Sequence, residues 1–93
     1  MKIGSEQRKQ ILRVAASHGA QRVRLFGSHA RGQATAGSDV DILVDLEPGR
    51  TLLDLIAFKQ DLEDLLGCTV DVVTEAAISP YIREQVLKSA VPL

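Results

Sequence analysis

From Ser5 to Ser17 the apolar side chains return every three to four residues, at Ile11, Val14 and Ala15, with His18 following on the same face. That spacing predicts a helix capped by Ser5 and stopped by Gly19. The period then changes. Arg22-Val23-Arg24-Leu25-Phe26 alternates polar with apolar before turning fully apolar, which predicts a strand ending at Gly27. The stretch from Ser28 to Ser38, rich in Gly, Ser, Ala and Thr, predicts a short helical turn or loop. A second strand follows, in which Val40, Ile42 and Val44 alternate with Asp39, Asp41, Leu43 and Asp45, so that one face carries acids at its start.

Pro48-Gly49 marks a turn, and Thr51 with Asp54 reads as a helix cap with an acid in the first turn. Leu52, Leu55, Ile56, Lys59, Leu62, Leu65 and Leu66 keep helical spacing up to Gly67. Thr69 to Thr74 is β-branched almost throughout, which predicts a buried third strand. Ser79-Pro80, a cap followed by proline, predicts a last helix reaching about Ser89.

The predicted order is α-β-(α)-β-α-β-α, an α/β (α+β) fold with a small mixed sheet and helices packed on it. A helix joins the second and third strands, so they should be parallel with a right-handed crossover. If the first two strands are antiparallel, Gly27-Ser28 lies against Asp39 and Asp41, with Asp71 on the neighbouring strand. No repeat or linker interrupts residues 1–93, which read as a single domain.

Composition narrows the possible roles. At 93 residues there is material for one hydrophobic core, with none left over for a separate substrate-recognition domain. No apolar run approaches the roughly 20 residues that span a bilayer, and no apolar stretch follows Lys2 as a secretory signal would require. The single cysteine, Cys68, excludes an internal disulfide, and a cytoplasmic location is expected. With 11 basic against 12 acidic side chains and 3% aromatics, the chain lacks the clustered charge and stacking surface of a nucleic-acid binder. Nucleic acid is therefore not expected as a direct partner.

The candidate chemistry lies in the acids. Asp39 and Asp41, one residue apart on a strand, project to the same side about 7 Å apart. Such neighbours repel each other, and a divalent cation removes the cost. Mg²⁺ suits them, since it takes oxygen ligands and is commonly held by one or two carboxylates plus substrate phosphates. Asp71 would add a third carboxylate from an otherwise apolar strand. Two metal ions on three carboxylates fit in-line displacement at phosphorus, with Gly27 allowing close approach of a phosphate and Ser28 donating to it.

Together, Leu25-Phe26-Gly27-Ser28-His29-Ala30-Arg31-Gly32, the ten residues between Ser28 and Asp39, and Ser38-Asp39-Val40-Asp41-Ile42 resemble the G-S…D-x-D signature of the nucleotidyltransferase superfamily that includes DNA polymerase beta. The resemblance runs from about Val23 to the C-terminus, and Thr74 through Glu84 is similar to the prokaryotic minimal nucleotidyltransferase branch in particular. It implies that Ser28 contacts a triphosphate, that Asp39 and Asp41 hold both metals, and that Asp71 holds the one activating the nucleophile. It further implies an antitoxin that moves AMP from ATP to a tyrosine of a HEPN ribonuclease toxin.

Several residues keep a second reading. Asp71 could be a strand-edge acid paired with a surface arginine, and Ser28 could simply cap the turn. Arg31 could reach the triphosphate, or stay exposed or paired with Asp39. His18 and His29 read as helix-end and turn residues, Cys68 as packing, and Tyr81 and Arg83 as surface or partner contacts. The function itself has an alternative, in which the chain neutralises its toxin by binding alone.

Overall fold

The computed structural model describes residues 3–27 and 39–93. Helix α1 covers Ser5–Ser17 and buries Ile11 and Ala15. Gly4, not Ser5, is its cap: the Gly4 amide donates to Oε1 of Gln7 at 3.3 Å, and this places Ser5 inside the first turn. His18 closes the helix and Gly19 follows with φ 71°, the left-handed conformation glycine adopts without strain.

Strands β1 (Ala20–Phe26), β2 (Val40–Leu46) and β3 (Val70–Thr74) form the sheet, with helix α2 (Leu52–Leu66) between the second and third. The expected pairing holds: β1 and β2 are antiparallel, β2 and β3 parallel. A two-residue strand, β4 (Val91–Pro92), adds an edge that the sequence did not suggest. It pairs antiparallel with β1, giving the order β3-β2-β1-β4. The third strand is thus an edge strand, and only Val70 in it is fully buried. β-Branching there reflects a half-covered pleated surface.

Alternation along β2 sorts the two faces. Val40, Ile42 and Val44 are each 0% exposed and pack with Val23, Leu25, Val70 and the helices in one core. Asp41, Leu43 and Asp45 face the opposite side.

Helix α2 starts as expected. Thr51 Oγ1 accepts from the Leu53 amide at 3.2 Å, and the Asp54 carboxylate accepts from the Thr51 amide at 2.9 Å. That amide bond is the main reason the Asp54 carboxyl is held below its ordinary value. Its inner stripe differs from the expected one. Phe58, Leu62 and Leu66 are buried, with Leu55 and Leu65 alongside, while Leu52 (68%), Leu53 (76%) and Ile56 (43%) are exposed. A leucine-rich run offers apolar side chains on several faces, and the largest one, Phe58, takes the centre of the core.

The last helix also starts late. Ser79-Pro80 forms a turn in which the Ser79 carbonyl accepts from the amides of Ile82 and Arg83, at 3.1 and 3.0 Å. A 3-10 turn (Glu75–Ala77) precedes it, and helix α3 covers only Arg83–Ser89. No described helix is long and apolar enough to cross a membrane.

Candidate active site

Strand register brings the candidate residues together. Phe26 is the cross-strand partner of Asp41, and Asp41 is the partner of Asp71. Partners in adjacent strands share a face, so the two aspartates stand side by side on the surface opposite the core. Asp41 is half-buried and Asp71 exposed. Asp39 is exposed and lies one residue ahead of β2. The backbone there is held to the third strand, because the Val40 amide donates to the Thr69 carbonyl at 3.0 Å.

Gly27 completes the described part of the site. Its φ is 70°, and a β-carbon placed on it would overlap the Asp41 carboxylate. Both facts demand glycine: the backbone is left-handed and the aspartate occupies the space where a side chain would begin. The chain thus turns away from β1 directly over Asp41. Ser28, His29 and Arg31 lie outside the described residues, and so does the predicted turn from Ser28 to Ser38.

The donor chemistry suits a hard divalent cation, since carboxylate oxygens on one face leave open positions for water and phosphate. Among the described residues, no three His, Cys, Asp or Glu side chains are gathered tightly enough to hold an ion by themselves. Asp41 and Asp71 are a register pair, and Asp39 is close in the chain but outside the strand.

Below this site is a set of ion pairs that the sequence reading missed. Glu75, at the end of β3, accepts from Arg83 at 2.9 Å and from Arg24 at 3.4 Å, and Arg22 stands 3.9 Å away. Asp45 pairs with Arg22 at 3.2 Å and with Arg24 at 3.7 Å. Partial burial works to raise the Glu75 pKa, but the guanidiniums of Arg22, Arg24 and Arg83 outweigh it and hold the carboxyl below the ordinary range. No local pattern in the sequence marks these ion pairs: Ala20, Val23 and Leu25 share one core, which a regular strand does not allow, and only the fold reveals it.

Comparison with known proteins shows which family the chain belongs to. Residues 7–93 match the family model of the nucleotidyltransferase domain. The chain belongs to the nucleotidyltransferase family. A Methanocaldococcus jannaschii protein, whose name offers it as a protein adenylyltransferase, is 40% identical over 87 residues, covering 94% of each chain. A solved structure offered as a minimal nucleotidyltransferase is 50% identical, with a TM-score of 0.89 over 100% of this chain and 97% of that one. The fold is shared more widely. A complex of a tri-AMPylated HEPN toxin of Shewanella oneidensis with an MNT antitoxin gives a TM-score of 0.68 at 22% identity, covering 90% of this chain and 66% of the other. In this nucleotidyltransferase, Gly27, Asp41 and Asp71 therefore occupy one face of the family's mixed sheet.

Proposed function

We propose that this nucleotidyltransferase moves AMP from ATP to a protein hydroxyl, a tyrosine of a HEPN-type ribonuclease toxin, and so acts as the antitoxin. The observation that carries the reading is the register that sets Gly27 against Asp41, beside Asp71. The adenylyltransferase relative and the AMPylated toxin complex support AMP as the group and a toxin as the acceptor.

In the proposed reaction the acceptor hydroxyl gives up its proton to solvent, and its oxygen forms a bond to the α-phosphorus of ATP. The bond from that phosphorus to the α,β-bridging oxygen breaks to release pyrophosphate. Gly27 admits the phosphate close to the backbone, and Ser28 donates to its oxygens. Asp39 and Asp41 would hold two Mg²⁺ ions, and Asp71 one of them, on the side open to the acceptor. Bound there, the ions would supply positive charge to the attacking and leaving oxygens. Arg31 is a further candidate for the triphosphate. Asp71, exposed on the edge strand, leaves the acceptor side of the site open.

The test is incubation with α-labelled ATP, Mg²⁺ and the product of the neighbouring gene, wild type against the double variant Asp39→Asn, Asp41→Asn. Label should pass to the partner with wild type only. Equal labelling by the double variant would contradict the reading.

A second reading, neutralisation by direct binding, draws support from the exposed apolar side chains Leu52, Leu53, Tyr81 and Ile82, the tyrosine being 95% exposed. Full neutralisation by the double aspartate variant in cells would favour it.

A further inference from the structure

The register that builds the site is not continuous along β1. Ala20 and Gln21 pair with Leu46 and Asp45, but Arg24, Leu25 and Phe26 pair with Leu43, Ile42 and Asp41. One additional residue is therefore present in β1, with Arg22 and Val23 together opposite Val44. The bulge reverses the parity of the strand. Without it, alternation from Ala20 would point Arg24 into the core and turn Val23 and Leu25 out. Phe26 would then leave the Asp41 face, and Gly27 would lose its place over the carboxylate.

This bulge is built from an unusual residue. Arg22 has φ 52°, the left-handed conformation that a bulge of this type normally gives to glycine, and it is the one non-glycine residue with positive φ among those described. Its carbonyl accepts from Nε of Arg24 at 2.8 Å. The two guanidiniums then close on Asp45 of β2 and on Glu75, the residue following β3, and Arg83 of α3 reaches the same glutamate. Arg24 is 8% exposed, so this charge is buried against its partners and does not lie loose on the surface. The clasp joins the strands that carry Gly27, Asp41 and Asp71.

We propose that Glu75 and Arg24 are positioning residues, which hold Arg22 in its strained bulge and thereby fix the register that places Gly27 against Asp41. Glu75 pairs with Arg22, Arg24 and Arg83, and Arg24 also with Asp45; on this proposal neither Glu75 nor Arg24 contacts the nucleotide. The nucleotide arm of the test rests on the function proposed above. The backbone arm does not.

Three chains decide it: wild type, Glu75→Ala, and Glu75→Ala combined with Arg22→Gly. Glycine takes the left-handed conformation without strain, so it should keep the bulge without the clasp. Glu75→Ala should exchange the amide hydrogens of Arg24, Leu25 and Phe26 at least about tenfold faster than wild type, with those of α1 unchanged, and should bind Mg·ATP about tenfold more weakly. Adding Arg22→Gly should restore both. Unchanged exchange in Glu75→Ala, or failure of Arg22→Gly to restore it, would overturn the proposal. If wild type does not bind Mg·ATP, the nucleotidyl-transfer reading fails, and the exchange rates still decide the clasp.

Discussion

Gly27 and Asp41 are packed so closely that no β-carbon fits between the glycine and the carboxylate. Neither residue makes this contact through its own local sequence. It follows from a turn at φ 70° after β1 and from the pairing of Phe26 with Asp41. A substitution at position 27 should therefore damage the site more than the fold.

Gly27→Ala meets both the positive φ and the carboxylate. Strain of this kind costs about 1–3 kcal/mol, which a thermal melt would register as a modest loss. Nucleotidyl transfer should fall at least about 100-fold, because displacing either Asp41 or the turn disorganises the reacting groups. Activity near wild type would mean that the contact has no part in the chemistry.

Asp41→Asn should abolish transfer and leave the fold intact. Adding Mg²⁺ should raise the melting temperature of wild type more than that of the variant. Equal shifts in the two would count against Asp41 as a metal ligand.

The true inner face of α2 can be checked by a pair of substitutions. Phe58 is 0% exposed, and Phe58→Ala should cost about 3–5 kcal/mol in urea denaturation. Leu52→Ser, at a position 68% exposed, should stay within about 0.5 kcal/mol. Reversed sensitivities would restore the leucine stripe read from spacing alone.

Much of the site was legible because its signals are local. The period-two pattern through Asp41 fixes a strand and a face, and Gly27 marks the end of β1. The helix joining β2 to β3 forced them parallel and so brought Asp71 beside Asp41. What stayed hidden depends on distant contacts. The bulge at Arg22 requires knowing that Ala20, Val23 and Leu25 share one core, and β4 is too short, at two residues, to leave a pattern. Phe58 does not stand out in the sequence because the surrounding leucines satisfy several helical stripes at once. The late start of α3 reflects Ser79-Pro80 closing a turn, with Ile82 as cap.

Acid should weaken the fold through three carboxyls. Asp54 is held low chiefly by the Thr51 amide, Glu63 chiefly by the Val70 amide, and Glu75 by its arginines acting against partial burial. Each has a folded pKa depressed below its unfolded one. Their stabilisation is therefore fully present above the unfolded carboxylate range, about 4, and is lost as pH falls through the lower folded values. Urea midpoints should be flat from neutral pH to about 5 and then fall, and Asp54→Asn should fall less steeply. An equal slope would mean that the cap contributes no linkage.

The most direct test of the proposed nucleotidyl transfer is the intact mass of the proposed HEPN-type partner toxin after incubation with the chain, ATP and Mg²⁺. The toxin should gain whole AMP groups on tyrosine, with one pyrophosphate released for each, and the Asp39→Asn, Asp41→Asn variant should add none. A toxin of unchanged mass that is nevertheless neutralised would contradict catalysis and leave binding as the mode of action.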